Sequence, residues 1–167
     1  IGDPSGRRSE RQLLDRSTIE QNVANHKRIV AGIFERAGVT AQVVDNYSWT
    51  KDVSVLDFLR DIGKYFTVNY MLAKDSVQTR LEGDGMSFTE FSYMLLQAFD
   101  FYHLRTAQNC KLQIGGSDQW GNITAGLELI RKKGIEDAHA LSSPLLLDTQ
   151  GRKFGKSAEG AIWLDPS

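Results

Sequence analysis

The chain has 167 residues, of which 41% are hydrophobic and 25% charged, an ordinary composition for one globular domain with a single real core. A formal net charge of −1 leaves no global basic footprint, so any nucleic-acid contact must come from a local patch. No apolar run approaches the roughly 18 residues that a bilayer crossing needs, so no membrane partner is expected. Cys110 is the single cysteine, which excludes a disulfide within the chain and fits a reducing compartment. His26, His103 and His139 share no metal-ligand spacing with each other or with Cys110, so no metal site is expected.

The chain opens on Ile1-Gly2-Asp3-Pro4-Ser5-Gly6, an apolar residue running into turn formers, which reads as a strand end entering a turn. A strand end needs a strand before it, so the chain is expected to begin partway through a domain. Arg7, Arg8 and Arg11 follow, with Glu10 among them. They suit either a solvated loop or an anion-facing one, since guanidinium groups match phosphate oxygens.

Ser17 and Glu20 have capping-box spacing, and Ile19, Val23, Val30, Ile33 and Phe34 mark one helical face closed by Gly38. Residues 41–45 read as a short strand ending at Asn46. Val53 to Ile62 reads as a helix with Val53, Leu56, Phe58, Leu59 and Ile62 inward, stopped by Gly63. Thr67 to Leu81 is helical in pieces, and residues 82–85 form a loop. Helix, strand, helix is the rhythm of a parallel α/β sheet.

Ser87 with Glu90 is a second capping box, and it opens the helix on which the chain is organised, Ser87 to Leu104. Phe88, Phe91, Met94, Leu95, Ala98, Phe99 and Phe101 leave little room for a watery face. Tyr93, Gln97 and Asp100 interrupt this apolar surface and, at about 3.6 residues per turn, stack on one side. A polar stripe on a buried helix must be satisfied. Either another segment completes a buried network, or a phenol, an amide and a carboxylate line a pocket for a small polar ligand.

Lys111 to Ile114 reads as a strand. It runs into Gly115-Gly116-Ser117-Asp118-Gln119-Trp120-Gly121-Asn122 and then a helix from about Ile123 to Lys133. Strand, glycine-rich turn and helix start form the arrangement that lets backbone approach a nucleotide, at the strand end where α/β sheets bind ligands. It is not a GxGxxG fingerprint, which argues against a dinucleotide. Residues 145–147 read as an apolar strand. Gly151 to Ser157 imitates a P-loop but has three residues between its glycines instead of four, so a P-loop is rejected. Lys153 and Lys156 on a Gly/Ser loop remain suited to neutralising phosphate charge.

Taken together and in this order, these motifs resemble the catalytic domain of the bacterial-type tyrosyl-tRNA synthetases, a family of class I aminoacyl-tRNA synthetases. The resemblance covers essentially the whole chain. It rests on Gly2-Asp3-Pro4-Ser5-Gly6, on Ser92-Tyr93 through Gln97 and Asp100, and on Gly116-Ser117-Asp118-Gln119-Trp120-Gly121-Asn122. Lys153-Phe154-Gly155-Lys156-Ser157 resembles the family's Lys-Met-Ser-Lys-Ser signature, with Phe-Gly in place of Met-Ser. At position 7, many relatives carry lysine where this chain has arginine.

The resemblance implies an α/β Rossmann-like parallel sheet with helices on both faces, incomplete at its N-terminus. A mainly helical insertion over about 46–90 would form much of a homodimer interface, with Phe88 a candidate contact. It implies that Asp3, Tyr93 and Gln97 bind the ammonium of tyrosine, that Asp100 accepts from the phenol, and that Gln113 supports the pocket. Asp118 would hold the adenosine ribose, Gly116 would let it approach, and Gln119 would bind the substrate carboxylate or carbonyl. Lys153, Lys156, Ser157, Arg7 and Arg11 would stabilise charge on pyrophosphate, with ATP as substrate, Mg2+ accompanying it and tRNA(Tyr) as acceptor. Neither the family's His-x-Gly-His signature nor an anticodon-binding domain is present in these 167 residues, so the chain is expected to be the central part of a cytoplasmic or organellar enzyme. Two rivals remain: a tryptophanyl-type synthetase, and a non-catalytic RNA- or partner-binding module on the same fold.

Overall fold

The computed structural model describes residues 2–5, 12–83, 85–147 and 151. The chain divides into two compact units. One comprises Ile1–Gln12 and Lys51–Leu145, the other Leu13–Thr50 and Leu146–Ser167.

In the second unit, helix α1 spans Arg16–Arg36. Its cap differs from the sequence expectation. Asp15 is the N-cap, accepting from the Thr18 backbone N–H at 2.8 Å and the Ser17 hydroxyl at 2.7 Å. A carboxylate at this position answers both the orphan N–H groups and the positive end of the helix dipole. Glu20 pairs with Arg16 at 2.8 Å and takes no part in the cap. Gly38, at φ +67°, ends the helix in a Schellman arrangement, with Val39 N–H bonded to Phe34 O at 2.9 Å. No α1 residue is fully buried, and Ile19 and Phe34 are exposed, so the apolar face is only partly covered. Residues 41–45, expected as a strand, are not one. Within this unit no described strand runs beside them, and unpaired extended backbone gains no ladder. The chain turns instead at Asp45, whose carboxylate accepts from Tyr47 N–H, into the single turn α2, Tyr47–Thr50.

The first unit carries the rest. Helix α3 spans Val55–Asp61 with Ser54 as N-cap, and a 3-10 turn follows at Gly63–Tyr65. Leu56 and Leu59, expected inward, are exposed, while Phe58 is partly buried and Ile62 fully so. With only seven residues, α3 buries one narrow edge. Helices α4, Val68–Leu72, and α5, Asp75–Leu81, are the expected pieces.

Helix α6 spans Phe88–Gln108, with the expected capping box between Ser87 and Glu90 in place. It lies at the centre of a core of Ile62, Phe66, Met71, Val77, Met94, Leu95, Ala98, Ala125 and Leu129. Phe88 departs from the expected buried set and is 76% exposed, because it is the first residue of the helix.

Strand β1, Leu112–Gly116, pairs in parallel with β2, His139–Ser143, and helix α7, Trp120–Lys132, is the crossover between them. This is a βαβ unit, and a parallel pair requires such a crossover. The second strand lies upstream of the expected 145–147; Leu147 makes only an isolated bridge. Polar, small-residue His139–Ser143 is extended because β1 offers it a ladder, with Gln113 opposite Ala140 and Gly115 opposite Ser142. Those four residues form the face toward α7. Gly115, Ala140 and Ser142 are small and let the helix come close, and a Cβ on Gly115 would stand 2.9 Å from Ile123 Cδ1. Helices α6 and α7 also approach tightly, for a Cβ on Gly126 would lie 2.9 Å from Phe101 Cδ1. The described elements thus have the parallel α/β, Rossmann-like character that the sequence implied.

Candidate active site

Strand β1 ends where the site begins. The glycine-rich segment is shorter as a loop than expected: Gly115 and Gly116 complete the strand, Ser117–Gln119 make a 3-10 turn, and Trp120 starts α7. Both glycines permit close approach. A Cβ on Gly116 would meet Asp118 Oδ1 at 2.9 Å and Leu145 Cδ2 at 3.0 Å, and one on Gly115 would meet Gln119 Cβ at 3.2 Å. Gly116 thus makes room for the Asp118 carboxylate folded back against the strand end.

The Gly2-Asp3-Pro4-Ser5 segment meets this turn across a separation of 116 residues. Gln119 Nε2 donates to Asp3 Oδ2 at 2.6 Å. Asn122 Nδ2, on the first turn of α7, points at Asp3 Oδ1 (3.3 Å), Gln119 Oε1 (3.3 Å) and Ser5 Oγ (3.4 Å). Asp3 also accepts from the Ser5 backbone N–H at 2.9 Å, which tightens the turn. Ser5 and Asn122 are each 5% exposed. Asp3 and Gln119 are only partly buried, and the buried Ser5 and Asn122 fix the carboxylate and amide from behind.

Beside this cluster lies a cleft of about 590 Å³, lined by Pro4, Lys74, Asp75, Asp118, Trp120 and Thr124 among others. Lys74 Nζ stands 4.2 Å from the Tyr70 ring centroid and 3.4 Å from Thr124 Oγ1, so its charge is held at the cleft by a cation–π contact and a weak hydrogen bond. Such a cleft, with two carboxylates, a lysine and the Trp120 ring, suits a polar ligand bearing both charge and a ring.

Tyr93, Gln97 and Asp100 occupy successive turns of one face of α6, and all three are partly buried. Tyr93 and Asp100 already engage partners in the structure. Gln113, on the α7 face of the sheet, has a buried Oε1 that no described group satisfies.

Of the residues expected from sequence, Asp3 and Gln119 are directly bonded and Asp118 lines the adjoining cleft. Arg7, Arg11, Lys153, Lys156 and Ser157 lie outside the described residues. Among the described residues no group of three His, Cys, Asp or Glu side chains could hold a metal, and no helix is long and apolar enough to cross a membrane. Sequence reasoning gave no role to Asn122, Ser5 or Lys74. Asn122 was readable as a polar residue three positions after Gln119 at a helix start, but its reach to Asp3 required the fold.

Comparison with known proteins identifies the family of the chain and agrees with its fold. The family model described as tRNA synthetases class I (W and Y) matches residues 1–167. The tyrosine–tRNA ligase of Listeria welshimeri is 59% identical over 169 residues, covering 99% of this chain and 40% of that protein. That of Bacteroides fragilis is 53% identical over 172 residues, with the same shares. The chain therefore spans about 40% of the length of these curated relatives. Among solved structures, a C-terminally truncated mitochondrial tyrosyl-tRNA synthetase of Aspergillus nidulans superposes with a TM-score of 0.70 at 31% identity, covering 91% of this chain and 50% of that one. A truncated mitochondrial tyrosyl-tRNA synthetase of Coccidioides posadasii gives 0.72 at 27% identity, covering 99% and 50%. On the family match along its whole length, the chain belongs to the class I tRNA synthetases of the tryptophan and tyrosine type.

Proposed function

We propose that this chain is catalytic-domain sequence of a tyrosine–tRNA ligase, which activates tyrosine with ATP and transfers it to tRNA(Tyr). The observation that carries the reading is the Asp3–Gln119 bond at 2.6 Å, which joins two motifs 116 residues apart at the carboxyl end of β1. The names of the relatives at 53–59% identity support tyrosine over tryptophan. So does the α6 stripe, in which Asp100 would accept from a phenol that tryptophan lacks.

In this reading Asp3, Tyr93 and Gln97 bind the tyrosine ammonium, Asp100 the phenol and Gln119 the carboxylate, with Gln113 supporting the pocket. A site built around a hydroxyl leaves its carboxylate unpaired when phenylalanine enters, which disfavours that analogue. Asp118 holds the ribose of ATP beside Gly116. A carboxylate oxygen of tyrosine attacks the α-phosphorus, the bond to the bridging oxygen breaks, and pyrophosphate leaves with the electron pair. The nucleophile is already ionised, so no general base is required. Catalysis rests on alignment and on stabilising the charge that builds on the leaving group. Arg7, Arg11, Lys153, Lys156 and Ser157 are assigned that task, with Mg2+ accompanying ATP. The exposed Val55, Leu56, Leu59, Val68 and Phe88 favour a homodimer contact within the 46–90 segment. Activity belongs in the cytoplasm or an organellar matrix, where tRNA is charged.

The test is tyrosine-dependent ATP–pyrophosphate exchange, run on these 167 residues and on the complete gene product. Exchange that requires tyrosine and collapses in Asp100→Ala is expected of the complete product. Tryptophan-dependent exchange would move the assignment to the other branch of the family. Absence of exchange with either amino acid would leave a binding module as the better reading.

A further inference from the structure

The two amides behind Asp3 form a chain with one permitted polarity. A carboxylate only accepts hydrogen bonds, so the group of Gln119 that lies 2.6 Å from Asp3 Oδ2 must be its NH2. The carbonyl oxygen of Gln119 therefore faces Asn122, 3.3 Å away, and Asn122 must in turn present its own NH2. The same nitrogen lies 3.3 Å from Asp3 Oδ1 and 3.4 Å from Ser5 Oγ. Asn122 is thus the donor shared by three acceptors, and at 5% exposure no water competes freely for it.

We propose that Asn122 is a positioning residue that makes the site a reader of a zwitterionic amino acid. By holding Gln119 Oε1, it keeps the Gln119 NH2 forward. One hydrogen of that group serves Asp3. The second meets no described acceptor and is the donor for a substrate carboxylate. Asp3, which the Ser5 backbone N–H also anchors at 2.9 Å independently of Asn122, is the acceptor for the ammonium. A flipped Gln119 would present its oxygen to both carboxylates and repel them. This inference rests on the reading of the protein as an amino-acid-activating enzyme and deepens it.

Asn122→Asp tests it, because it replaces the shared donor with an acceptor facing Asp3 and Gln119 Oε1. In the complete gene product at about pH 8, the KM for tyrosine should rise roughly ten- to hundredfold, as expected for lost hydrogen bonds to a charged group, with a smaller change in kcat. Inhibition by tyramine, which keeps the ammonium and phenol but lacks the carboxylate, should weaken much less. Burial and the neighbouring carboxylate raise the pKa of the introduced acid, so lowering the pH to about 6 should protonate it, restore a donor and recover much of the tyrosine KM. The unmodified protein should not show that recovery. Asn122→Ser removes the amide without adding charge and should show the same split between tyrosine and tyramine at an intermediate size, which covers a failure of the acidic variant to fold. Equal losses for tyrosine and tyramine, or losses that ignore pH, would make Asn122 merely structural and overturn the inference while the functional reading stands. Lack of tyrosine-dependent exchange in the unmodified protein would overturn both.

Discussion

Arg80 on α5 and Glu90 on α6 form a buried bidentate ion pair, Nη1 to Oε1 at 2.5 Å and Nη2 to Oε2 at 2.8 Å, with side chains 6% and 3% exposed. Each partner has a second duty. Arg80 donates from Nε and Nη2 to the Gly85 carbonyl at 3.2 and 3.0 Å, and Glu90 Oε2 accepts from the Ser87 backbone N–H at 3.4 Å. The pair therefore ties the end of α5 and the intervening loop to the cap of the helix that bears Tyr93, Gln97 and Asp100.

Removing one member of this pair leaves a buried charge without its partner. Arg80→Met is expected to cost about 3–5 kcal/mol, and the double change Arg80→Met with Glu90→Leu should recover most of it. Urea unfolding of both variants checks this. A double variant as unstable as the single one would show that the loop and cap bonds, and not the unpaired charge, dominate.

Where α7 crosses α6, Gly126 replaces a side chain with the edge of a phenyl ring. Alanine is the better helix former, by about 1 kcal/mol in isolation. Here its Cβ would stand 2.9 Å from Phe101 Cδ1 and 3.1 Å from Phe101 Cβ, and Phe101 is 1% exposed with nowhere to move. Overpacking of this kind costs roughly 1–3 kcal/mol, so Gly126→Ala should destabilise despite its propensity. Thermal unfolding will show a lower Tm; a higher one would mean the core yields at this point.

Helix α1 should loosen in acid at its N-terminus. The Asp15 carboxyl is held below its ordinary value, first by the Thr18 backbone N–H and next by the Ser17 hydroxyl. A group whose folded pKa is depressed contributes fully above its unfolded value, about 3.9, and loses that contribution as the pH falls through the lower folded value. Hydrogen exchange at Thr18 should therefore gain protection, relative to the random-coil rate, as the pH rises through that range. Asp15→Asn keeps the cap but should remove the pH dependence.

Asp100 offers the most direct test of substrate identity. If it accepts from the phenol of tyrosine, Asp100→Ala should remove about 1.5–3 kcal/mol of preference for tyrosine over phenylalanine, roughly 10- to 150-fold in relative kcat/KM. An unchanged ratio would mean that the carboxylate serves another group.

The long local elements and the motif order were readable from sequence alone. Helix α6, its capping box, the broken helices α4 and α5 and strand β1 follow from capping chemistry and apolar periodicity, which act over a few residues. So did the glycines before Asp118 and the pairing of carboxylate, amide and phenol on one helix face. Tertiary structure decided whatever depended on a partner distant in the chain. It made His139–Ser143 a strand, although its residues argue for none, because β1 supplies the ladder. Residues 41–45 have strand-like residues but no described neighbour to pair with. It also placed Asn122 beneath Asp3, because a hydrogen bond spanning 119 residues leaves no periodicity to read. Local preference chooses among backbone conformations by a kcal/mol or less per residue, whereas a ladder or a buried donor is settled only when the second half of the pair arrives.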